Sequence, residues 1–271
     1  MDYFRFLNNP PVIVCGNPRS GTRMCANVLN AHSDVLITGE WHNVSKLNRM
    51  VSRFSEYLPD RITNELKQEK SDAMVHMMWA LRDTATDMDK LAKAAYVGNK
   101  TPTVEHHFDK FEQLFGQKPI YVYCVRNAFS VLRSVKNLKN LAWNKNSVEK
   151  NLSLYLSSLK KYQEMLRLAP GRVHLVKLDE LKSHENNMSY YRFLFDALNL
   201  SVDETLERRV NRLGKQNSME KVKSKNNVDE STVVELTEDE FQLILGSLEY
   251  RRLARELSIP DPNLASINGA K

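Results

Sequence analysis

The sequence predicts an α/β protein with a mainly parallel central sheet and helices on both faces. Three observations carry this expectation. Short apolar runs recur along the chain. Longer stretches of helical periodicity separate them, which is the pattern of strands joined by crossover helices. Gly16, Glu40, Lys100 and Arg126 each follow such a run.

The elements can be read in order. Val12-Ile13-Val14-Cys15, after Pro10-Pro11, reads as a buried strand. A loop from Gly16 to Gly21 follows. Helical periodicity then starts at Thr22, with Met24, Val28 and Ala31 on one side beside Cys25 and Leu29. Val35-Leu36-Ile37 reads as a second strand, running into Gly39-Glu40. Residues 43–94 are mostly helical by pattern and contain no glycine, with Met74, Met77, Met78, Trp79 and Leu81 as an apolar cluster suited to a helix core. Ala95-Tyr96-Val97 is a further strand, reaching Asn99-Lys100. Ile120–Val125, rich in β-branched and aromatic residues, is the clearest strand of the chain. Val173–Val176 is the next. Helices are expected near 128–137 and 147–168, with more helix after 180. A final helix starts at the capping box of Thr237 and Glu240 and is expected to stop at Pro260.

Bulk composition agrees with a globular chain. Of 271 residues 42% are apolar and 27% charged, enough to build a sizeable core. No apolar run is long enough to span a membrane. The start, Met1-Asp2-Tyr3-Phe4-Arg5-Phe6, has neither the basic region nor the apolar stretch of a signal peptide. Cys15, Cys25 and Cys124 are an odd number inside apolar patterns, so they read as buried thiols. A cytoplasmic protein is the expectation. A net charge of +6 favours anionic ligands in general. The basic residues are scattered, and the run from Lys215 to Lys225 reads as a solvated loop, so nucleic acid is not expected as a partner.

In sheets of this kind ligands sit beyond the carboxyl ends of the strands. Gly16, Glu40, Lys100 and Arg126 would therefore converge on one crevice. The loop Gly16-Asn17-Pro18-Arg19-Ser20-Gly21-Thr22 joins a strand to a helix and is built to hold an anion. Its glycines turn backbone N–H groups inward, and the helix N-terminus adds partial positive charge. The spacing matches the first six positions of the nucleoside-triphosphate loop GxxxxGK[ST], which makes the expected fold a three-layer α/β/α of the P-loop type. The last two positions are Thr22 and Arg23 instead. Arginine at 23 cannot ligate Mg²⁺ as the Ser/Thr hydroxyl does, which argues against a kinase or ATPase and predicts no metal.

Pro18-Arg19-Ser20-Gly21-Thr22 resembles the 5′-phosphosulfate loop of sulfotransferases that use PAPS (3′-phosphoadenosine 5′-phosphosulfate), written PRSGTT or PKSGTT. Arg126-Asn127-Ala128-Phe129-Ser130…Ser134 is similar to that family's 3′-phosphate segment, RNPxDxxxS, with Ala128 for the usual Pro and Ser130 for the usual Asp. A planar guanidinium at 126 can hold phosphate oxygens in bidentate fashion, with a helix-borne hydroxyl at 134 beside it. Asn99-Lys100-Thr101-Pro102 resembles the KTP segment of Golgi-type and bacterial members, and Val176–Leu181 a worn YEDL segment. The resemblance covers about 11–200. It implies one sulfotransferase domain over 1–271, with a PAPS-binding core at about 11–200, a helical insert at 43–94 and a helical part at 201–271.

The resemblance also implies site residues. Arg19, Ser20, Gly21, Thr22 and Arg23 would hold the 5′-phosphosulfate, and Arg126 and Ser134 the 3′-phosphate. Cytosolic family members place a catalytic His directly after Lys-Thr; here that position is Pro102. Ala31-His32-Ser33-Asp34-Val35…Gly39-Glu40 instead resembles the tyrosine-sulfotransferase segment AHPxVxxGEE, which puts Glu40 in the place of the general base. The alternative for Glu40 is a carboxylate at the N-terminus of the next helix. His42 is its rival as base, ahead of His106 and His107. Lys100 would assist the leaving group. The implied reaction is transfer of the sulfuryl group from PAPS to an acceptor hydroxyl, releasing PAP (3′-phosphoadenosine 5′-phosphate). A carbohydrate or glycoconjugate acceptor is favoured, ahead of a hydroxylated small metabolite or a tyrosyl peptide, because the aromatic and amide-bearing stretch Asn140-Leu141-Ala142-Trp143-Asn144 and the insert would line the acceptor side and suit a sugar hydroxyl. A module that binds PAP without chemistry is the main alternative, and a P-loop kinase the lesser one.

Overall fold

The structure, a computed structural model, describes residues 5–41, 44–82, 88–116, 118–138, 145–214 and 234–264. Five strands form one sheet: β1 Val12–Gly16, β2 Val35–Thr38, β3 Tyr96–Lys100, β4 Ile120–Val125 and β5 Val173–Lys177. Their order is β2-β3-β1-β4-β5, and every pairing is parallel. The register sets Ile13 beside Asn99 on one side and Tyr121 on the other.

Alternation along the strands builds a core on each face, since successive side chains of a strand point to opposite sides. From β1 and β4, Ile13, Cys15, Tyr121, Tyr123 and Val125 enter one apolar cluster. Val12, Val14, Val122 and Cys124 enter the other. The first cluster is closed by the helices α3 Asn64–Arg82, α5 Phe108–Leu114, α6 Ala128–Lys136 and α7 Val148–Leu168, and by two C-terminal helices. The second is closed by α1 Thr22–Asn30, α8 Asn187–Ala197 and α9 Glu204–Asn211. The three-layer arrangement is therefore the expected one. Cys15, Cys25 and Cys124 are buried free thiols within it.

The stretch predicted as mostly helical over 43–94 contains α2 Val44–Glu56, α3, and α4 Met88–Lys93. Met74, Met77 and Met78 of α3 pack on the core around the fully buried Val75; the side chains of Trp79 and Leu81 lie outside the described residues. One expectation fails at the C-terminus. Instead of a single final helix there are two, α10 Glu238–Gly246 and α11 Leu248–Glu256. Ser247 is extended and caps the second, its Oγ accepting from the Tyr250 amide at 3.2 Å. A hydroxyl that offers this bond competes with continuing the first helix. The second helix ends at Glu256, ahead of Pro260, with Ser258 in the left-handed region at φ 48°. The capping box of Thr237 and Glu240 is present.

Two glycines are fixed by close backbone approach. A Cβ on Gly16 would lie 2.1 Å from the Cys124 carbonyl oxygen, and one on Gly98 would lie 1.9 Å from that of Val12. These contacts let β1 sit tightly between β3 and β4, and Gly16 (φ 124°) then turns the chain into the loop. Among the described residues no helix is long and apolar enough to cross a membrane.

Candidate active site

At the carboxyl end of β1 the chain turns through Asn17–Gly21 into α1. Arg19 has φ 71° and Gly21 φ 94°, so the turn uses left-handed backbone twice in three residues. Gly21 is the N-cap of α1 and brings no side chain to it, leaving the first helical N–H groups without a side-chain cap. Ser20 is fully buried, and its Oγ has no hydrogen-bond partner among the described residues. A buried hydroxyl in that state is costly unless a ligand completes it.

The second half of the site comes from β4 and α6. Arg126 directly follows β4. Asn127 caps α6 by accepting from the Ser130 amide at 2.9 Å. One turn along, the Ser134 Oγ accepts a 2.8 Å hydrogen bond from Arg19 Nε, which joins the two half-sites directly. Burial, then the charges of Arg126 and Arg23, pull the Arg19 guanidinium below its ordinary pKa. Arg19 thus lies within electrostatic reach of two other guanidinium groups, and an anion bound there would relieve the repulsion.

Glu40, just beyond β2, and Lys100, the last residue of β3, meet as an ion pair at 2.5 Å. The lysine is buried, whereas the carboxylate side chain is 38% exposed. Burial lowers the Lys100 pKa; the hydrogen bond and charge of Glu40 oppose that, and Arg23 adds to it. Arg23 therefore lies within electrostatic reach of both Arg19 and Lys100. The structure brings together Arg19, Ser20, Gly21, Thr22, Arg23, Arg126 and Ser134 on one side and Lys100 and Glu40 beside them. His42 and the stretch 140–144 lie outside the described residues. His106 is exposed and His107 half-buried in the short turn after β3.

Several residues of the site are not apparent from sequence. Asp179 accepts from the Asn127 amide (2.7 Å) and Nδ2 (2.9 Å) and lies 3.5 Å from Arg126 Nε, so it orients the segment that bears the arginine. It falls in the worn YEDL-like segment, the one available signal. Glu105 is buried; its Oε2 accepts from the Gly16 amide at 3.0 Å and its Oε1 from Ser158 Oγ at 2.5 Å, with Tyr123 OH beyond at 2.7 Å. Tyr155 of α7 touches both half-sites: its carbonyl accepts from Asn17 Nδ2 at 3.3 Å, and its hydroxyl donates to the Arg126 carbonyl at 2.7 Å. The departure at Ala128 also has a physical counterpart. Its N–H, which a proline would lack, donates to Tyr250 OH at 3.1 Å and so ties α11 to the site.

Comparison with known proteins agrees with this architecture. Residues 10–204 match the sequence profile of the sulfotransferase family. No curated protein matches the chain in sequence. Among solved structures, the sulfotransferase domain of the Synechococcus PCC 7002 olefin synthase superposes with a TM-score of 0.58 at 16% identity, covering 94% of this chain and 96% of that one. Sulfotransferase STF9 from Mycobacterium avium gives 0.50 at 12% identity, covering 92% and 76%. At such identities the superpositions speak for the fold. The profile match spans well over half of the chain. The chain belongs to the sulfotransferase family, a family of transferases.

Proposed function

We propose that the protein transfers the sulfuryl group of PAPS to an acceptor hydroxyl. The observation that supports this reading is the hydrogen bond that joins the two half-sites, Arg19 Nε donating to Ser134 Oγ at 2.8 Å. Arg23 and Arg126 lie within electrostatic reach of Arg19, the buried Ser20 hydroxyl of the same loop has no hydrogen-bond partner among the described residues, and the Lys100–Glu40 pair is in turn within reach of Arg23. This donor set fits a nucleotide with phosphate at two separate positions. The loop from Arg19 to Arg23 would hold the 5′-phosphosulfate through backbone N–H groups, the Ser20 and Thr22 hydroxyls and the arginines. Arg126 and Ser134 would hold the 3′-phosphate.

PAPS supplies a sulfuryl group already activated on a phosphate leaving group. Lys100 places a cation where charge develops on the oxygen that leaves. Glu40 accepts the acceptor's proton as the new S–O bond forms and the old one breaks. Arg23 in the place of a metal-binding hydroxyl supports a metal-free reaction. The acceptor is proposed to be a carbohydrate or glycoconjugate, and the setting of three reduced, buried thiols is proposed to be cytoplasmic. The assignment is tested by incubating the protein with PAPS labelled in its sulfuryl group and a panel of oligosaccharides, hydroxylated metabolites and tyrosyl peptides. Label appearing in an oligosaccharide supports the whole proposal, and label in another class corrects the acceptor alone. Tight binding of PAP with no transfer to any acceptor would replace the enzyme with a binding module.

A further inference from the structure

The residues on either side of Lys100 hold the backbone on either side of Glu40. Asn99 Nδ2 donates to the Gly39 carbonyl at 2.5 Å, and Thr101 Oγ1 accepts from the Trp41 amide at 2.8 Å. The two side chains are joined to each other, Thr101 Oγ1 donating to Asn99 Oδ1 at 2.6 Å. Asn99 Nδ2 also reaches Thr38 Oγ1 at 3.1 Å, and that hydroxyl donates to the Gly98 carbonyl at 3.0 Å. Asn99, Thr101 and Thr38 are all buried, as is the Trp41 side chain.

These bonds start where the sheet stops. β2 and β3 pair as far as Thr38 and Asn99. Beyond that point the main-chain ladder no longer fixes Gly39-Glu40-Trp41 against Lys100, and side chains take over. The Glu40–Lys100 contact is bracketed on both sides by buried hydrogen bonds, although the Glu40 side chain itself is partly exposed. A long carboxylate on an unbraced loop would sample many positions. Here the backbone from which it projects is held at both neighbours.

We infer that Asn99 and Thr101 are positioning residues for the reaction: they form a clamp that holds the Glu40 carboxylate at the Lys100 ammonium and hence at the acceptor hydroxyl. This rests on the reading of Glu40 as the base. Neither residue needs to touch the nucleotide, so their effect is on turnover. Misplacing a reacting group by about 1 Å can cost on the order of a hundredfold in rate.

The test is a double-mutant cycle on release of inorganic sulfate from labelled PAPS, with water as the acceptor so that no acceptor need be known. Thr101→Val and Asn99→Ala should each lower the rate about ten- to a hundredfold. PAP affinity should stay within about threefold, and Thr101→Ser should restore most of the rate because it keeps the hydroxyl. In a Glu40→Gln background the same substitutions should cost less than about twofold, since the group they position is gone. Additive losses in that background would overturn the clamp and leave the base reading standing. Normal release in Glu40→Gln alone would sink the base reading first. A readout independent of turnover is the ¹³C chemical shift of the Glu40 side-chain carboxyl, assigned by its loss in Glu40→Gln. It should move in Thr101→Val and Asn99→Ala and return in Thr101→Ser. A shift that stays put in both folded variants overturns the inference.

Discussion

Arg19 and Ser134 are 115 residues apart in sequence, yet Arg19 Nε donates to Ser134 Oγ at 2.8 Å. The hydroxyl accepts this bond with a lone pair and keeps its own hydrogen for a ligand. One atom thus serves the proposed 3′-phosphate subsite while steadying the arginine of the 5′ loop. Ser134→Ala should therefore weaken PAP by about fivefold to tenfold, the worth of one net hydrogen bond. It should also weaken adenosine 5′-phosphosulfate, to a smaller degree, through the loosened Arg19. Calorimetric titration with both ligands checks this, and unchanged affinity for each would remove Ser134 from the site.

Arg126 should behave differently. It lies beside Asp179 and its backbone carbonyl is held by Tyr155, and the proposal gives it the 3′-phosphate alone. Arg126→Ala should cost PAP about 2–4 kcal/mol, the loss of a charge-assisted contact. Adenosine 5′-phosphosulfate, which has no 3′-phosphate, should bind almost as before. Equal losses for both ligands would place Arg126 elsewhere.

PAP should raise the melting midpoint with no divalent metal in the buffer, because a ligand that binds only the folded state stabilises it by mass action. The cradle consists of backbone N–H groups, hydroxyls and arginines, with Arg23 where triphosphate enzymes carry a metal-binding hydroxyl. A shift that appears only with ATP and Mg²⁺, and never with PAP, would favour the kinase reading over the present one.

Glu105 gives the molecule a pH dependence that can be separated from catalysis. Burial raises its pKa above the ordinary 4.5; the bonds from Ser158 and Gly16 oppose this only in part. The sign follows from linkage. An acid whose folded-state pKa is raised favours the folded state in its protonated form. Its contribution to stability is complete below about pH 4.5 and is lost as pH rises through the folded-state pKa. Glu105→Gln cannot ionise, so its melting midpoint should gain on the native protein's as pH rises from about 4 to about 8. A gap that instead moves against the variant with rising pH would mean that the carboxylate is held charged by the Gly16 amide.

The strands, the turn from Gly16 into α1 and the strand-to-helix segment at Arg126 are legible because each is local: an apolar run, a turn and the start of a helix lie within a few adjacent residues. The partners of those segments are not. Glu105 reaches Gly16 across 89 residues and Ser158 across 53, and Asp179 reaches Asn127 across 52. Such pairs exist only once the sheet order places β3 and β5 on opposite sides of β1. A buried glutamate beside two histidines has nothing in its own neighbourhood to mark it. The split of the last helix was missed for a related reason. Ser247 can sit inside a helix or cap a new one, and the packing of Tyr250 under Ala128 accompanies the second choice.

Glu40→Gln should leave PAP affinity nearly intact while turnover falls by about 10²–10⁴-fold, the usual contribution of a general base. The substitution keeps the size and reach of the side chain and removes the carboxylate that takes the proton. Its neighbour Lys100 loses its ion-pair partner at 2.5 Å but stays buried at the end of β3. The loss should therefore fall on kcat rather than on nucleotide binding, since a group that acts only as the acceptor ionises leaves ground-state affinity alone. Steady-state rates with labelled PAPS and the preferred acceptor, together with PAP titrations, separate the two. Normal turnover in Glu40→Gln with collapse in His42→Ala would pass the role to His42. Activity in both variants would put the base at neither residue, and His106 and His107, on the turn after Lys100, would be next to be substituted.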